Sequence, residues 1–186
     1  VNRFGFVNID LSGQVTEFNP AFSKSPTVRD AKLQSDGKIL VVGDFFKVND
    51  VFTGPIVRLN ADGSTDQSFV LDNSLNQFLD SRVSSLAIQE DGKILVGGFL
   101  LDYFQSRILR LNENGSIDAT FDHGSIGAIS IDKGTTNIHI KEDGKIVIAG
   151  SQMFFPNSKL SNIGILNTDG SVDLSFDYTS LSTVSR

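Results

Sequence analysis

Three segments of this sequence place carboxylate and amide side chains at a spacing that suits calcium. Each begins with Asn, continues with Asp or Asn and then Gly, and ends with Asp; the segments are 60–66, 112–118 and 167–173. Calcium takes six to eight oxygen ligands, usually with a closing bidentate acid. Two residues before each segment begins, where a further carboxylate would help, the chain has Arg58, Arg110 and Ile165. A turn in which Asp and Asn bond their own backbone is the better interpretation, so we expect no metal and no cofactor.

The aspartates that end these segments recur at one position of each repeat, as Asp66, Asp118 and Asp173. They could line a shared surface and bind a ligand together. The interpretation that we favour is structural, because an aspartate at such a position can fix its own hairpin or pair with a basic residue of the neighbouring repeat.

Other chemistries find little support in the residue types. The chain has no cysteine, which excludes disulfides and thiolate catalysis, and neither His123 nor His139 has a serine or acid at a triad-like spacing. The net charge is -6 and the pI is near 4.8, without a cluster of Lys or Arg, so we expect no nucleic-acid partner. No apolar run approaches the 18 or so residues of a membrane-spanning helix, so we expect no membrane span.

The elements that position these residues come from a repeat. The phrase Asp-Gly-Lys followed by an apolar run begins at Asp36, Asp91 and Asp143, and one of the three segments above follows each copy. Copies about 50 residues apart indicate an array of similar units rather than one irregular domain. Abundant Asp, Asn, Ser and Gly favour strands joined by tight turns over helices.

The middle copy shows the expected strands most clearly. Alternating polar and apolar residues predict a strand at 83–89, and the sequence Glu90–Lys93 predicts a type I′ hairpin turn because Asp-Gly tolerates positive φ. The return strand at 93–99 is apolar on both faces, which is typical of a strand buried between stacked sheets. Strands at 107–112 and 116–121 complete two hairpins, which is the plan of one propeller blade.

This plan predicts an all-β fold: a β-propeller-type array of four-stranded antiparallel blades, with about three and a half blades. The expected units are the second half of an incomplete blade, three blades, and the start of a further blade or a tail, at 1–22, 27–69, 83–121, 129–176 and 177–186. Closed propellers usually have four to eight blades, so we expect part of a larger ring. The expected partners are the remaining blades, from the same chain or a partner chain, and the start at Val1 indicates a processed or excised piece.

The repeat resembles the delta-sixty repeat, a β-propeller repeat of large bacterial secreted and surface proteins. The resemblance rests on Leu86–Gln89 before the Asp-Gly-Lys phrase, and on Arg110–Asn112 before Asn-Gly-Ser-x-Asp-x-x-Phe. It covers nearly the whole chain, with mild departures at Ser12-Gly13 and Gly164-Ile165. The resemblance implies a multi-blade ring and an extracellular or bacterial cell-surface location, but it implies no defined chemistry.

Two more recurring positions have structural interpretations. The aromatic residues that end the repeats are predicted to anchor the core between blades; they are Phe69, Phe121 and Phe176. The lysines after the turn glycines are predicted to solvate hairpin ends; they are Lys38, Lys93 and Lys145.

The connections that differ between copies are the expected binding surface, since variable loops on a rigid frame carry specificity. These loops are 45–54, 100–105 and 153–159. Their aromatic side chains predict an exposed apolar rim, or alternatively caps over the blade edges. The candidate binding residues are Phe46, Phe52, Tyr103, Phe104, Phe154 and Phe155.

These observations favour a non-catalytic extracellular or cell-surface module, a scaffold or binding platform in a large bacterial surface protein or complex. Its partner would be a surface protein or a glycan. The first alternative is a fragment of a propeller-type glycan hydrolase or lyase with carboxylates roughly 5 to 10 Å apart, for which Asp30, Asp44 and Asp80 are candidates. The second alternative is a calcium-stiffened adhesin segment.

Overall fold

The computed structural model describes residues 20–22, 26–72, 82–99, 108–122, 127–128, 135–155 and 159–176. Within these residues the secondary structure is strand and turn without helix, and all strand pairs are antiparallel. The same residues contain no helix long and apolar enough to cross a membrane. The predicted all-β fold is therefore confirmed. The predicted unit 177–186 and most of the unit 1–22 lie outside the described residues.

Three sheets repeat one design, in which a central strand pairs with a strand on each side. The strands in chain order are β1 (Thr27–Leu33), β2 (Ile39–Asp44), β3 (Lys47–Val48), β4 (Val51–Phe52), β5 (Ile56–Leu59), β6 (Arg82–Ile88), β7 (Ile94–Phe99), β8 (Ile108–Leu111), β9 (Gly127–Ala128), β10 (Thr135–Ile140), β11 (Ile146–Phe155) and β12 (Lys159–Leu166). Blade 1 is β1-β2-β5, blade 2 is β6-β7-β8 and blade 3 is β10-β11-β12. The strands β3 and β4 form a separate hairpin, and β9 pairs with β11.

The fourth strand of each blade is much shorter than its predicted length. The segment after each turn makes a single antiparallel bridge to its blade, through Thr65, Ile117 and Val172. In blade 1 the Asp66 N–H still donates to the Arg58 carbonyl at 2.9 Å, but the Asp66 side chain then accepts from the Ser68 N–H at 3.0 Å. This local bond competes with strand pairing and turns the chain away from the sheet.

The Asp-Gly turns differ from the predicted type I′ geometry. Of their residues only the glycine has positive φ, such as Gly92 at 81°, because Asp91 keeps its side chain on the Lys93 N–H at 3.1 Å. The Gln89 N–H closes this turn on the Lys93 carbonyl at 2.8 Å. A type I′ turn does join β3 to β4, at Asn49-Asp50, where φ is 49° and 64°.

Two of the predicted loops contain strand. The residues Met153–Phe155 belong to β11 and pair with Lys159–Ser161 of β12, so the predicted loop at 153–159 is wrong at both ends. The β-prone residues Met153 and Phe154 also pair with β9 on the other side, which extends the hairpin beyond the bulge after Ala149. The predicted loop at 45–54 contains the β3–β4 hairpin.

Among the described residues, two of the three core clusters lie in the seams, which are the interfaces between neighbouring blades, and the third covers the other face of blade 1 around Val41 and Val57. On β7, Ile94 belongs to the cluster shared with blade 1, while its neighbour Leu95 belongs to the cluster shared with blade 3. Both side chains are fully buried. Phe121 is buried in the second seam and Phe69 packs against the first, which confirms their predicted role as core anchors. A central strand that is apolar on both faces thus follows from a sheet that has a blade on each side.

Side chains at the β-bulges fix the register across each seam. Asp30 Oδ2 on β1 accepts from the Leu86 N–H on β6 at 3.0 Å, and Ser85 Oγ on β6 accepts from the Ile138 N–H on β10 at 3.0 Å. Asp30 and Ser85 both directly follow the bulge in the first strand of their blade. The bulge thereby aims one polar side chain at the next blade.

Main-chain contacts close the seams at the other end. The residue after each repeat donates to the turn of the next blade, as the Val70 N–H does to the Asn114 carbonyl at 2.9 Å. The adjacent Gly115 has φ of 92°, and a Cβ there would lie 2.8 Å from the Val70 carbonyl oxygen. Glycine is required at this position by both its backbone conformation and the seam.

Replacement of Gly115 should separate the cost of its backbone conformation from the cost of its close contact across the seam. Gly115→Ala should lower the free energy of unfolding by about 2 to 4 kcal/mol, because a strained φ adds to a main-chain clash. Gly37→Ala is the matched control, since Gly37 has φ of 84° with open space around it, and should cost about 1 kcal/mol. Urea denaturation measures both values. Equal losses in the two variants would show that the seam contact is unimportant.

Candidate functional site

The recurring aspartates form ion pairs inside their own blades. In blade 2, Asp118 Oδ2 lies 2.8 Å from Arg110 Nε and 3.0 Å from Lys93 Nζ. The equivalent residues of blade 1 are Asp66, Arg58 and Lys38, at 2.7 and 3.1 Å. We call each set an Arg-Asp-Lys triad. The partners come from the same blade and not from the neighbouring one, because the strands that carry them run side by side in one sheet.

The arginine of each triad also crosses the seam. Arg58 Nη1 donates to the Glu113 carbonyl at 2.7 Å, and Arg110 Nη1 donates to the Thr168 carbonyl at 2.5 Å. The Arg110 guanidinium lies 4.7 Å from the centroid of the Phe121 ring, which closes the core beside it. The planar, multiply donating guanidinium is the group that can join an acid of one blade to the main chain of the next.

Blade 3 lacks this arginine, because Ile165 occupies its position. The aspartate is still paired, through a bond of 2.7 Å from Lys145 Nζ to Asp173 Oδ2. Lys145 therefore keeps the aspartate ion-paired in blade 3, after which no further blade is described.

The electrostatics of the triads hold the aspartates ionised. Burial would raise the pKa of Asp118, but hydrogen bonds from the Thr120 hydroxyl and N–H, Lys93 and Arg110 outweigh it and hold the pKa far below its usual range. The pKa of Asp66 is lowered in the same way by its own partners. In blade 3, bonds from Lys145 and then Ser175 lower the pKa of Asp173 to about 2.

The carboxylates of the triads are better suited to stabilising the fold than to acid catalysis or metal binding. A glycosidase acid needs a raised pKa, whereas every resolved carboxyl shift in the described part of the chain is downward. Of the candidate acids, Asp30 crosses a seam, Asp44 pairs with Arg29 at 2.6 Å, and Asp80 lies outside the described residues. No group of three or more His, Cys, Asp or Glu within the described residues could hold a metal.

A cleft of about 530 Å³ opens between the turns of blades 2 and 3. Its lining mixes acids such as Glu90 and Glu142 with bases such as Lys141. Its buried charged side chain, Arg110, already bonds Asp118 on one side of the seam and Thr168 on the other. This cleft is therefore part of the seam.

The triad predicts a large loss of stability when its acid is removed. Asp118→Ala should lower the free energy of unfolding by about 3 to 5 kcal/mol, because it leaves the buried Arg110 guanidinium without its counter-ion. Asp91→Ala, which removes an exposed acid 3.8 Å from Lys93, should cost at most about 1 kcal/mol. Urea denaturation with and without calcium measures both. A calcium-dependent loss at Asp118 would revive the metal interpretation.

The lowered pKa values also predict acid sensitivity. A carboxyl whose pKa is lower in the folded chain binds fewer protons there, so its contribution is complete above about pH 5 and declines as the pH falls towards 2. The urea midpoint of the wild-type chain should therefore drop over this range. The drop should be smaller in Asp118→Asn and Asp173→Asn, and parallel profiles in all three proteins would contradict the assignment.

The β3–β4 hairpin presents an aromatic surface. The Phe46 and Phe52 rings stack with centroids 6.3 Å apart, and their side chains are 46% and 74% exposed. Lys47 Nζ lies 5.1 Å from the Phe52 ring centroid and 3.7 Å from Asp50. Two large apolar rings that lie together and are exposed to solvent are typical of a surface that contacts another molecule. We call Phe46, Val51 and Phe52 the hairpin surface.

A groove of about 200 Å³ lies beside the hairpin surface. One wall is β4, the floor includes Ile56 and Val57 of β5, and the other wall is the segment 65–71. Val70 on the far wall is 64% exposed. The groove thus adjoins the hairpin surface, and its walls mix apolar residues such as Val70 with polar residues such as Thr65 and Gln67.

The predicted binding residues have different positions in the structure. Phe46 and Phe52 come together on the hairpin surface, as a loop surface requires. Phe154 and Phe155 lie in the paired part of β11, so their assignment to a loop is wrong, while Tyr103 and Phe104 lie outside the described residues. The sequence analysis missed Val70 and Ile56 of the groove; the usable signal was Asp66 two residues before Ser68, a spacing at which an Asp side chain bonds the backbone and competes with strand pairing.

The sheets and seams define an array of β-propeller blades. Residues 34–69 and 89–121, which contain the two complete triads, match the family model described as a beta-propeller domain of unknown function (DUF5122). No curated protein sequence matches the chain significantly.

Two solved structures show the same fold at low sequence identity. A protein of unknown function from Bacteroides caccae is 14% identical with a TM-score of 0.50, over 89% of this chain and 56% of that one. Virginiamycin B lyase from Staphylococcus aureus is 16% identical with a TM-score of 0.51, over 88% of this chain and 49% of the lyase. This chain therefore spans about half the length of these structures.

Proposed function

We propose that this chain is a non-catalytic propeller module of the delta-sixty type, a scaffold or binding platform in a larger bacterial secreted or cell-surface protein. The observation that carries the proposal is a separation of roles among the side chains. The recurring charged residues are bonded within the frame, as in the Arg110–Asp118 pair, whereas the apolar Phe46 and Phe52 are exposed on a non-repeating hairpin. Non-repeating segments on a rigid frame are where binding specificity resides.

The propeller fold supports a larger assembly around this module. Stacked blades bury their faces only against other blades, and closed rings usually have four to eight of them. Further blades of the same chain or of a partner chain complete the ring in this proposal. The hairpin surface then meets a surface protein or a glycan.

A comparison of surface variants tests the binding role. The double variant Phe46→Ser/Phe52→Ser should lower the enrichment of ligands about tenfold or more, because two rings can no longer be buried on binding. The ligands are sought in a phage-displayed peptide library and on an immobilised oligosaccharide array. Leu33→Ser is the matched control, because Leu33 is 72% exposed and lies outside the hairpin surface. Enrichment that survives the double substitution, or is lost equally with Leu33→Ser, would contradict the platform. Release of reducing ends from the oligosaccharides would favour the hydrolase instead.

A further inference from the structure

The chain contains one Asn-Gly pair, Asn114-Gly115, and such a pair is where asparagine loses its side-chain amide most readily. Glycine has no side chain to hinder its main-chain nitrogen, so that nitrogen can attack the side-chain amide before it. The pair lies in the turn that follows β8, with Asn114 exposed and Gly115 buried. The other two copies of the repeat have Asp-Gly here, with Asp62 and Asp169. Loss of the amide would therefore give blade 2 the residue of its neighbours.

The reaction needs only water and its hydroxide ion. The Gly115 nitrogen gives its proton to hydroxide and bonds to Cγ of Asn114. The bond from Cγ to Nδ2 then breaks, and Nδ2 leaves as ammonia after it takes a proton from water, so that a cyclic imide remains. Addition of water opens the ring. Cleavage at Cγ gives aspartate, whereas cleavage at the main-chain carbonyl carbon gives isoaspartate, in which the chain runs through the former side chain.

The folded turn protects the attacking nitrogen. The Gly115 N–H donates to the Asn112 carbonyl at 2.9 Å, and Gly115 is buried. Hydroxide therefore reaches this proton only when the turn opens. The Asn112 N–H also donates to the Ser116 carbonyl at 2.8 Å, which closes the turn on its other side.

Contacts from blade 1 hold this turn in place. The Val70 N–H donates to the Asn114 carbonyl at 2.9 Å. Arg58 Nη1 donates to the Glu113 carbonyl at 2.7 Å, one residue earlier in the turn. Both bonds cross the seam between blades 1 and 2, so separation of these two blades removes them together. The seam thus controls access to the reactive pair.

Aspartate at position 114 fits the closed seam. Asn114 Oδ1 accepts from the Ser116 N–H at 3.1 Å and from the Ser116 hydroxyl at 2.8 Å. In blade 3, Asp169 Oδ1 accepts the same two bonds from the serine two positions later, at 3.0 and 2.7 Å. These bonds, and after them the charge of Arg110 across the seam, lower the pKa of Asp169. Arg58 has the corresponding position beside residue 114, so the new charge would form next to a cation.

Isoaspartate at the same position does not fit. It lengthens the main chain by one carbon and turns the carbonyl that accepts from Val70 into a free carboxylate. Gly115 has little room to move, since a Cβ on it would already lie 2.8 Å from the Val70 carbonyl oxygen. Val70 also lines the groove beside the hairpin surface. Isoaspartate therefore opens the seam and displaces one wall of this groove.

We propose that Asn114-Gly115 is a deamidation site that the seam between blades 1 and 2 keeps closed. Transient opening of the seam exposes the Gly115 N–H to solvent base and starts the reaction. Chains that form aspartate close again, whereas chains that form isoaspartate stay open at this seam. The site thus converts a reversible separation of two blades into a permanent covalent change.

Deamidation rates of the whole chain test the role of the seam. Mass spectrometry of peptides from samples kept in mildly alkaline buffer follows the amide-to-acid mass increase at Asn114, which the Asp-Gly turns cannot produce. The native chain should react about 100-fold more slowly than the chain in urea. Arg58→Leu should speed the native reaction about tenfold, because it removes the bond to the Glu113 carbonyl. Arg110→Leu is the matched control, since it removes the corresponding bond at the other seam and should leave the rate close to that of the wild type.

A second measurement covers the case in which these variants do not fold. The wild-type chain at urea concentrations below its unfolding transition should already react faster than in buffer, because the seam opens before the whole frame unfolds. A rate that rises only with global unfolding, or equal acceleration by Arg58→Leu and Arg110→Leu, would overturn protection by the seam.

The products test what happens to the seam afterwards. After reaction in urea and return to buffer, chains with isoaspartate, identified with isoaspartate methyltransferase, should have a lower urea midpoint than the wild-type chain. Asn114→Asp should keep the wild-type midpoint, since aspartate makes the same bonds in blade 3. Isoaspartate chains with the wild-type midpoint, or an equal loss in Asn114→Asp, would contradict the two fates.

Discussion

The buried pair between Arg110 and Asp118 is the interaction on which most of this architecture depends. Two charges withdrawn from water are stable only when their remaining hydrogen-bonding groups are satisfied. Arg110 meets that demand with the Thr168 carbonyl of the next blade, and Asp118 meets it with Thr120 and Lys93. One ion pair therefore shapes a turn, a strand end and a seam at the same time.

This arrangement has a consequence for the edge of each sheet. The aspartate that accepts from the arginine also accepts from the N–H of the residue two positions later. This second bond ends the fourth strand almost as soon as the strand has begun. A longer fourth strand would pair with the outer edge of β5, whereas the observed turn releases it. The charge network that stabilises the frame thereby leaves room for a groove in blade 1.

The sequence predicted the strands well because their signals are local. The apolar run after each Asp-Gly-Lys phrase and the glycine turn define β2, β7 and the start of β11 to within about two residues. The triads could not be predicted, since Lys93 and Asp118 are brought together only by pairing across β7 and β8. The lysines that were expected to solvate hairpin ends bind these acids instead. The type I′ prediction was wrong because the Asp91 side chain competes for the turn.

Departures from a repeat are more informative about function than the repeat itself. Ile165 replaces the arginine in blade 3, and Lys145 compensates for it, so this departure leaves the aspartate bonded. The β3–β4 hairpin is a departure of another kind, because it stacks the Phe46 and Phe52 rings on each other and leaves them 46% and 74% exposed. Aromatic area that stays in contact with water does not stabilise the frame, since burial is what makes such area favourable. In the proposed function, binding of a partner at the hairpin surface buries these rings and accounts for their position.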